Sequence, residues 1–312
     1  TSIREIVDFG GLPVFPDATV RSAVLLIRNT TADGEPPVYA PIDSLTFTSW
    51  SSKVDGTGFE VKPDGLQGRD WRLVNRKVSQ IMEKVERRGI PLSESLDTGE
   101  ICRGIVTGRN KAFFIDDETR QKLIDQDSDS EEVIKPMVRG EDIRRYHLRD
   151  QQQWMLYMGE RINIDRYPAV EQHLRQYKEE LKGRATEQPW YELQQPQEEY
   201  VDYFDSPKII YPEIAPEARF AFDDGPLYPN NKCFFLPTEE KAYVPLLNST
   251  LSVFYLSQVL AKLEGSTADS IYYEFRRQYM KELPIAPSFN EVHDESGSSL
   301  SDLAEKMADY HN

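Results

Sequence analysis

The stretch Ile101-Cys102-Arg103-Gly104-Ile105-Val106-Thr107-Gly108-Arg109-Asn110-Lys111-Ala112-Phe113-Phe114-Ile115 holds three bases and no acid. It does so in a chain whose 53 Asp and Glu outnumber its 37 Lys and Arg. Gly104 and Gly108 permit close approach of main-chain N–H groups to an anion, and Arg103, Arg109 and Lys111 add positive charge. Asn110, next to Thr107 and Gly108, carries the amide that pairs with a base edge. That chemistry suits a nucleic acid. A tight hairpin whose glycine takes a positive φ and whose polar groups face water would use the same residues. Composition alone leaves both readings standing.

A second basic group runs from Arg139 to Arg149, with four arginines and two acids. The planar guanidinium fork of Arg139 or Arg144 suits bidentate contact with phosphate or guanine. Glu141 and Asp142 would instead hold these arginines in a salt-bridged helix start. Lys208, at the head of Lys208-Ile209-Ile210-Tyr211, and the polar run Asn230-Asn231-Lys232 are the third and fourth candidates. As DNA contacts, Arg103, Arg109, Lys111 and Lys208 are expected to converge on one surface.

The net charge of −16 runs against a DNA footprint, but it is unevenly spread. Residues 116–132 hold eight acids and two bases, residues 185–207 six acids and no base, and residues 290–312 six acids and one base. These stretches account for the whole negative excess and are expected to face away from a local positive surface. Cys102 and Cys233 each sit in an apolar stretch and read as buried free thiols. His147, His173, His293 and His311 show no ligand spacing, so no metal site is expected. No apolar run approaches the length of a membrane span, and the first residues lack a signal-peptide profile, so a cytoplasmic protein without a membrane partner is expected.

The elements that must position these groups alternate in type, and a mixed α/β (α+β) fold follows. Residues 3–9 and 23–27 read as a buried hairpin, its second strand apolar at every position and so expected to be covered on both faces. Residues 30–70, rich in Pro, Gly, Ser and Thr, read as a linker or short edge strands. A helix is expected from Leu73 to Val85, stopped by Gly89 and Pro91. Residues 101–115 read as strand, turn, strand. Further helices are expected over 168–181, 244–263 and 300–310, and strands over 208–211 and 232–235.

In order, Gly104 to Phe113, Ile134-Lys135-Pro136, Arg139-Gly140-Glu141-Asp142-Ile143, Tyr167-Pro168, Pro189-Trp190, Pro207-Lys208-Ile209, Leu247-Asn248-Ser249 and Leu283-Pro284-Ile285 resemble the TaqI-like C-terminal specificity domain. The opening Ile6-Val7-Asp8-Phe9-Gly10-Gly11 and the apolar strand after it resemble the last hairpin of the methyltransferase domain that precedes it in that family. The resemblance implies a β-hairpin remnant of a Rossmann-like methyltransferase sheet with linker over residues 1–50. A target recognition domain would follow over 51–290, then an acidic helix or tail over 291–312. It also implies double-stranded DNA as partner, a methyltransferase catalytic domain in the same polypeptide, and S-adenosylmethionine-dependent methylation of adenine by the full-length parent. The Asn-Pro-Pro-aromatic motif and the Gly-rich cofactor loop of such enzymes are missing, so no cofactor and no methyl transfer are expected of this chain alone. Two other classes compete. Pro16-Asp17 with Glu60-Val61-Lys62 formally matches a restriction-type nuclease, and the acidity suits a DNA mimic or protein-docking module.

Overall fold

The computed structural model describes residues 2–18, 20–29, 35–67, 71–149, 152–264, 271–291 and 297–311. His293 lies outside them, as does the connection at 265–270. The chain divides into two compact units, Thr1–Arg88 and Gly89–Asn312.

In the first unit, β1 (Ser2–Asp8) pairs antiparallel with β2 (Ala23–Arg28) and parallel with β3 (Val38–Pro41). Helix α1 (Trp50–Thr57) is capped by the Ser49 side chain, which accepts from Ser52 N, and β4 (Phe59–Glu60) closes the sheet in the order β2-β1-β3-β4. Helix α2 (Arg76–Arg88) starts at Asn75, whose Oδ1 accepts from Val78 N, and ends on Arg87 and Arg88, which suit the negative end of the helix dipole. A small core of Val7, Phe9, Ala40, Ile42 and Val54 holds this unit. The hairpin is as expected, but its burial is not. Val24, Leu25, Leu26 and Ile27 are 46–57% exposed, because β2 is the sheet's edge and no described residue of its own unit covers it. The described residues 35–67 hold α1, the inner strand β3 and the edge strand β4, so they are more than a linker.

The second unit opens with β5 (Ile90–Pro91), α3 (Leu92–Ser95), β6 (Cys102–Arg103), α4 (Asn110–Phe113), β7 (Phe114–Asp116) and α5 (Asp117–Gln126). Strands β8 (Ile134–Val138) and β9 (Gln153–Leu156), then helices α6 (Pro168–Arg175) and α7 (Lys178–Lys182), follow. Next come β10 (Lys208–Pro212), β11 (Ile214–Ala215), β12 (Ala221–Asp223), β13 (Tyr228–Pro229) and β14 (Cys233–Pro237). The chain ends through α8 (Tyr243–Leu247), α9 (Thr250–Val259), β15 (Ala261–Glu264), β16 (Ile271–Glu274), α10 (Arg277–Lys281), β17 (Pro284–Ile285) and α11 (Leu300–His311).

These strands form four small sheets: β12-β10-β14-β6, β13-β8-β9-β7, β11-β16-β15 and β17-β5. The mixed α/β architecture expected from the sequence is present. Strands β10 and β14 are buried at every position, as continuous apolar runs should be. The two larger sheets meet through aromatic packing, with the Phe204 ring 5.0 Å from Tyr228 and 5.5 Å from Phe235. The expected strand-turn-strand over 101–115 is corrected. Strand β6 pairs with β14 and β7 with β9, so the two strands belong to different sheets, joined by a loop and the single-turn α4. The expected helix over 168–181 is likewise two helices, since Tyr177 leaves helical geometry.

The segment 244–263 breaks at Asn248. Its side chain pairs with both main-chain groups of Phe220, Nδ2 donating to the carbonyl at 2.8 Å and Oδ1 accepting from the N–H at 3.2 Å. Ser249 then caps α9, and the remainder is strand β15. The acidic helix α11 is anchored to residues before α8, through Lys241 to Glu305 at 3.0 Å and Ser301 to Glu240 at 2.9 Å. Among the described residues no helix is long and apolar enough to cross a membrane.

Candidate nucleic-acid interface

The loop between β6 and α4 is fixed from below. Gly104 N donates to Cys233 O and Ile105 N to Pro229 O. A Cβ on Gly104 would sit 2.0 Å from Asn230 O, so this glycine serves close packing of two backbones and is not placed for an anion. Val106 pairs with Gln195, and the Tyr200 hydroxyl donates to Arg103 O at 2.9 Å. The acidic stretch 185–207 therefore runs beside this loop. That corrects the expectation that it faces elsewhere.

At the loop's tip Gly108 has φ +75°, the left-handed region that glycine enters without strain. A Cβ there would also lie 2.7 Å from Arg184 Cδ. Arg184 spends its guanidinium on four main-chain carbonyls, those of Leu181, Thr107, Glu192 and Trp190, at 2.8–3.1 Å. Thr107 is buried, and its hydroxyl donates to Asn110 Oδ1 at 2.7 Å. That bond leaves the Asn110 Nδ2 donors turned to solvent and restricts their direction. The result is a rigid, exposed amide on a braced loop.

Two adjoining clefts lie beside it. One of about 430 Å³ is lined by Val106 to Lys111 with Asn231 and Lys232. The other, about 620 Å³, is lined by Asn110, Phe114, Arg139, Gly140, Glu141, Ile214, Pro216, Arg219, Asn230, Lys232 and Tyr272. Asn110 and Lys232 belong to both. The structure thus brings together three of the four basic groups singled out in the sequence, at Gly108 to Lys111, at Arg139 and at Asn231-Lys232. Arg109 is paired with Glu180 and Arg139 with Glu141 at 3.0 Å. Arg219 meets Glu217 at 3.3 Å and Lys232 meets Glu213 at 3.6 Å. Arg139 also meets the buried Asp142 at 3.5 Å, and Glu213 is mostly buried, whereas the partners of Arg109 and Arg219 are exposed. Exposed pairs such as those of Arg109 and Arg219 hold their cations at little energetic gain, typically ~0–1 kcal/mol. Lys111 is exposed and makes no such pair among the described residues.

Three expected contacts fall elsewhere, and a fourth, Asn230, lines the larger cleft with its amide oxygen spent on the turn. Lys208 is fully buried in β10, where Nζ donates to Phe204 O at 2.6 Å and Ser206 O at 3.1 Å and meets Asp223 Oδ2 at 2.7 Å. It is out of reach of a phosphate, so the expected convergence of Lys208 with the other bases is corrected. Burial pushes the Lys208 ammonium down and the Asp223 carboxyl up, each opposed by the other's charge. Arg144 turns one guanidinium nitrogen to the carbonyls of Glu141 and Ile143 at 2.7 and 2.9 Å and lines neither cleft. Asn230 is buried, its Oδ1 accepting from Lys232 N at 3.1 Å to shape the turn. Arg103 is exposed on β6 but lines neither cleft.

Sequence reasoning missed Arg184, Arg219 and Tyr272. An arginine directly after Gly183, which ends α7, was the available signal for the first. Both cysteines are buried free thiols, and burial pushes Cys102 up to about 12. Among the described residues no group of three His, Cys, Asp or Glu is placed to hold a metal, and Lys62 of the nuclease-like match is tied to Glu83.

Residues 135–285, which include Arg139, Arg219, Lys232 and Tyr272, match the profile of the TaqI-like C-terminal specificity domain. This segment belongs to that family. The specificity domain is that of type II methyltransferases and restriction-modification enzymes. Among the relatives, the type II methyltransferase M.BanIII of Aneurinibacillus aneurinilyticus is 27% identical over 46% of this chain and 27% of its own length. The type II methyltransferase M.PaeR7I of Pseudomonas aeruginosa is 23% identical over 76% of this chain and 40% of its own. The chain therefore spans well under half the length of these relatives. Among solved structures, the type IIL restriction-modification enzyme MmeI in complex with DNA aligns with TM-score 0.49 and 14% identity, over 94% of this chain and 36% of MmeI. The type IIG restriction endonuclease BpuSI aligns with TM-score 0.45 and 14% identity, over 98% of this chain and 38% of BpuSI. The loop that carries Asn110 lies before the matched segment, yet its clefts are completed by specificity-domain residues.

Proposed function

We propose that this chain is the DNA-reading module of an S-adenosylmethionine-dependent, adenine-specific DNA methyltransferase, and that its two clefts hold duplex DNA. The observation that carries the reading is the meeting, at one place, of the braced Asn110 amide with Arg109, Lys111, Arg139, Arg219 and Lys232. Cations of this kind fix the register of a duplex through its phosphates, and an amide reads a base edge. The module would position the target adenine, flipped out of the duplex, before a methyltransferase catalytic domain of the same polypeptide. The exposed apolar edge strand β2 is the surface that domain would cover.

S-adenosylmethionine would supply the methyl group, and the residues present do not form its cradle. The double glycine Gly10-Gly11 follows strand β1 but leads into an irregular connection, not into a helix N-terminus. Asp8 before it is already engaged, accepting from Gly10 N and from the Tyr39 hydroxyl, each at 2.8 Å. No methyl-transfer step is assigned to these side chains.

The test is selection of sites from a random duplex library by the full-length protein, with methylation mapped at single-base resolution. One sequence should be enriched and methylated on adenine; no enrichment refutes the reading. In the same assay Asn110→Ala should alter sequence preference. Lys111→Ala should weaken all sequences alike and lower the salt slope of log K by about 1. Equal effects of the two would remove Asn110 as a reader.

A further inference from the structure

The three-stranded sheet β11-β16-β15 contributes Ile214 and Tyr272 to the lining of the larger cleft. Its register puts Ile214 opposite Glu274 and Leu263 opposite Tyr272. Cross-strand partners share a face, and so do residues two apart on one strand. Ile214, Tyr272 and Leu263 therefore share one face, 40%, 36% and 36% exposed, with Glu274 beside Ile214 on that face and tied to Arg276 at 2.9 Å. Ile214 and Tyr272 both line the cleft that holds Arg139, Arg219 and Lys232. The Tyr272 hydroxyl has no hydrogen-bond partner among the described residues. A single exposed apolar residue needs no explanation, but an aligned strip facing a row of cations does.

We infer that this strip is a second wall of the DNA site, on which the Tyr272 ring packs against a base or deoxyribose of the duplex whose phosphates the facing cations hold. The inference rests on the reading of the chain as a DNA-reading module and adds to it a contact made without charge. The complementarity decides the occupant. The cations match the phosphates of a duplex, and the apolar strip matches the sugar and base surfaces between its two phosphate rows. Arg139, Arg219 and Lys232 thus set where the duplex lies, and Tyr272 senses what lies between the strands.

The experiment uses the full-length protein and a fluorescein-labelled duplex pool with a randomised centre, bound at several salt concentrations. Tyr272→Ala should weaken binding of the enriched duplexes about tenfold, within the range for loss of an aromatic contact to a base. It should leave the salt slope unchanged, because no counterion is released at an uncharged side chain. Tyr272→Phe should bind as the unaltered protein does. In the unaltered protein, a pool carrying 5-iodouracil should crosslink under ultraviolet light to Tyr272, located by mass spectrometry of the peptide. Unchanged affinity of Tyr272→Ala with no crosslink at Tyr272 overturns this inference and leaves the DNA-reading function intact. A lower salt slope in Tyr272→Ala also overturns it, by placing the ring against phosphate. If the unaltered protein binds no duplex at all, the DNA-reading function falls and this inference falls with it.

Discussion

Replacing Lys208 with methionine separates a structural lysine from a DNA contact. Met fills most of the lysine's volume but removes the ammonium from Asp223 Oδ2, 2.7 Å away, and from the carbonyls of Phe204 and Ser206. Asp223 Oδ2 keeps the Leu227 N–H, 3.2 Å away. Removing one member of a buried ion pair costs roughly 3–5 kcal/mol, because the remaining charge is stranded. In a unit of this size 1 kcal/mol is about 2–4 °C in melting temperature, so Lys208→Met should melt roughly 10 °C or more below the unaltered chain at pH 8. The deficit should narrow toward pH 5. Burial already raises the Asp223 carboxyl and Lys208 opposes that rise. Without the lysine the folded value climbs further above the unfolded one, so folding gains below the unfolded value and loses as pH rises through the folded one. Pairing Lys208→Met with Asp223→Leu should restore most of the loss. The assay is thermal unfolding by circular dichroism from pH 5 to pH 8, with duplex binding measured well below the transition. A Lys208→Met protein that melts within 2 °C of the unaltered chain, yet loses DNA affinity and one unit of salt slope, would refute the argument and return Lys208 to the surface.

The same contacts yield two more outcomes. Gly108→Ala forces a left-handed residue, at roughly 1–2 kcal/mol, and sets its Cβ 2.7 Å from Arg184 Cδ. Site selection with it should give a broader consensus while melting drops by only a few degrees; an unchanged consensus would mean the loop does not orient Asn110. Asn248→Ala strands the buried N–H of Phe220, while its carbonyl keeps the Tyr146 N–H at 3.2 Å, and urea unfolding should show a loss of about 1–3 kcal/mol. Its duplex affinity should keep the salt slope of the unaltered chain, because Asn248 lines neither cleft.

Strands β10 and β14 were legible in the sequence because continuous apolar runs of their length report burial on both faces directly. The same signal misled for β2. Val24 to Ile27 are as apolar as Ile209 to Tyr211, but periodicity reports what a strand needs and not whether the residues in hand supply it. Burial is a property of the assembled surroundings. The strand-turn-strand read over 101–115 failed for a related reason. Local alternation identified β6 and β7 correctly as extended, but each found its partner far along the chain, at Phe234-Phe235 and at Trp154-Met155. Pairing distance leaves no mark on local pattern.

The site was legible to the extent that its cations still have donors to offer. Arg109, Lys111 and Lys232 were read from residue type and lie in the clefts, whereas Lys208, Arg144 and Arg184 are the same residue types facing the opposite way. Arg144 and Arg184 direct donors at main-chain carbonyls, and Lys208 does so inside an apolar sheet. A guanidinium that closes off carbonyls and one that awaits phosphate are indistinguishable as letters, because both geometries satisfy the same donors. What separates them is the acceptor, and the nearest sequence cue is the company each keeps. Lys208 heads a run of three buried apolar residues, and Arg184 follows a glycine that ends a helix. Arg109 and Lys111 flank the asparagine whose orientation the buried Thr107 hydroxyl fixes. Among the inward-facing cations Arg184 bonds Thr107 O, and so braces the loop on which Arg109, Asn110 and Lys111 are exposed.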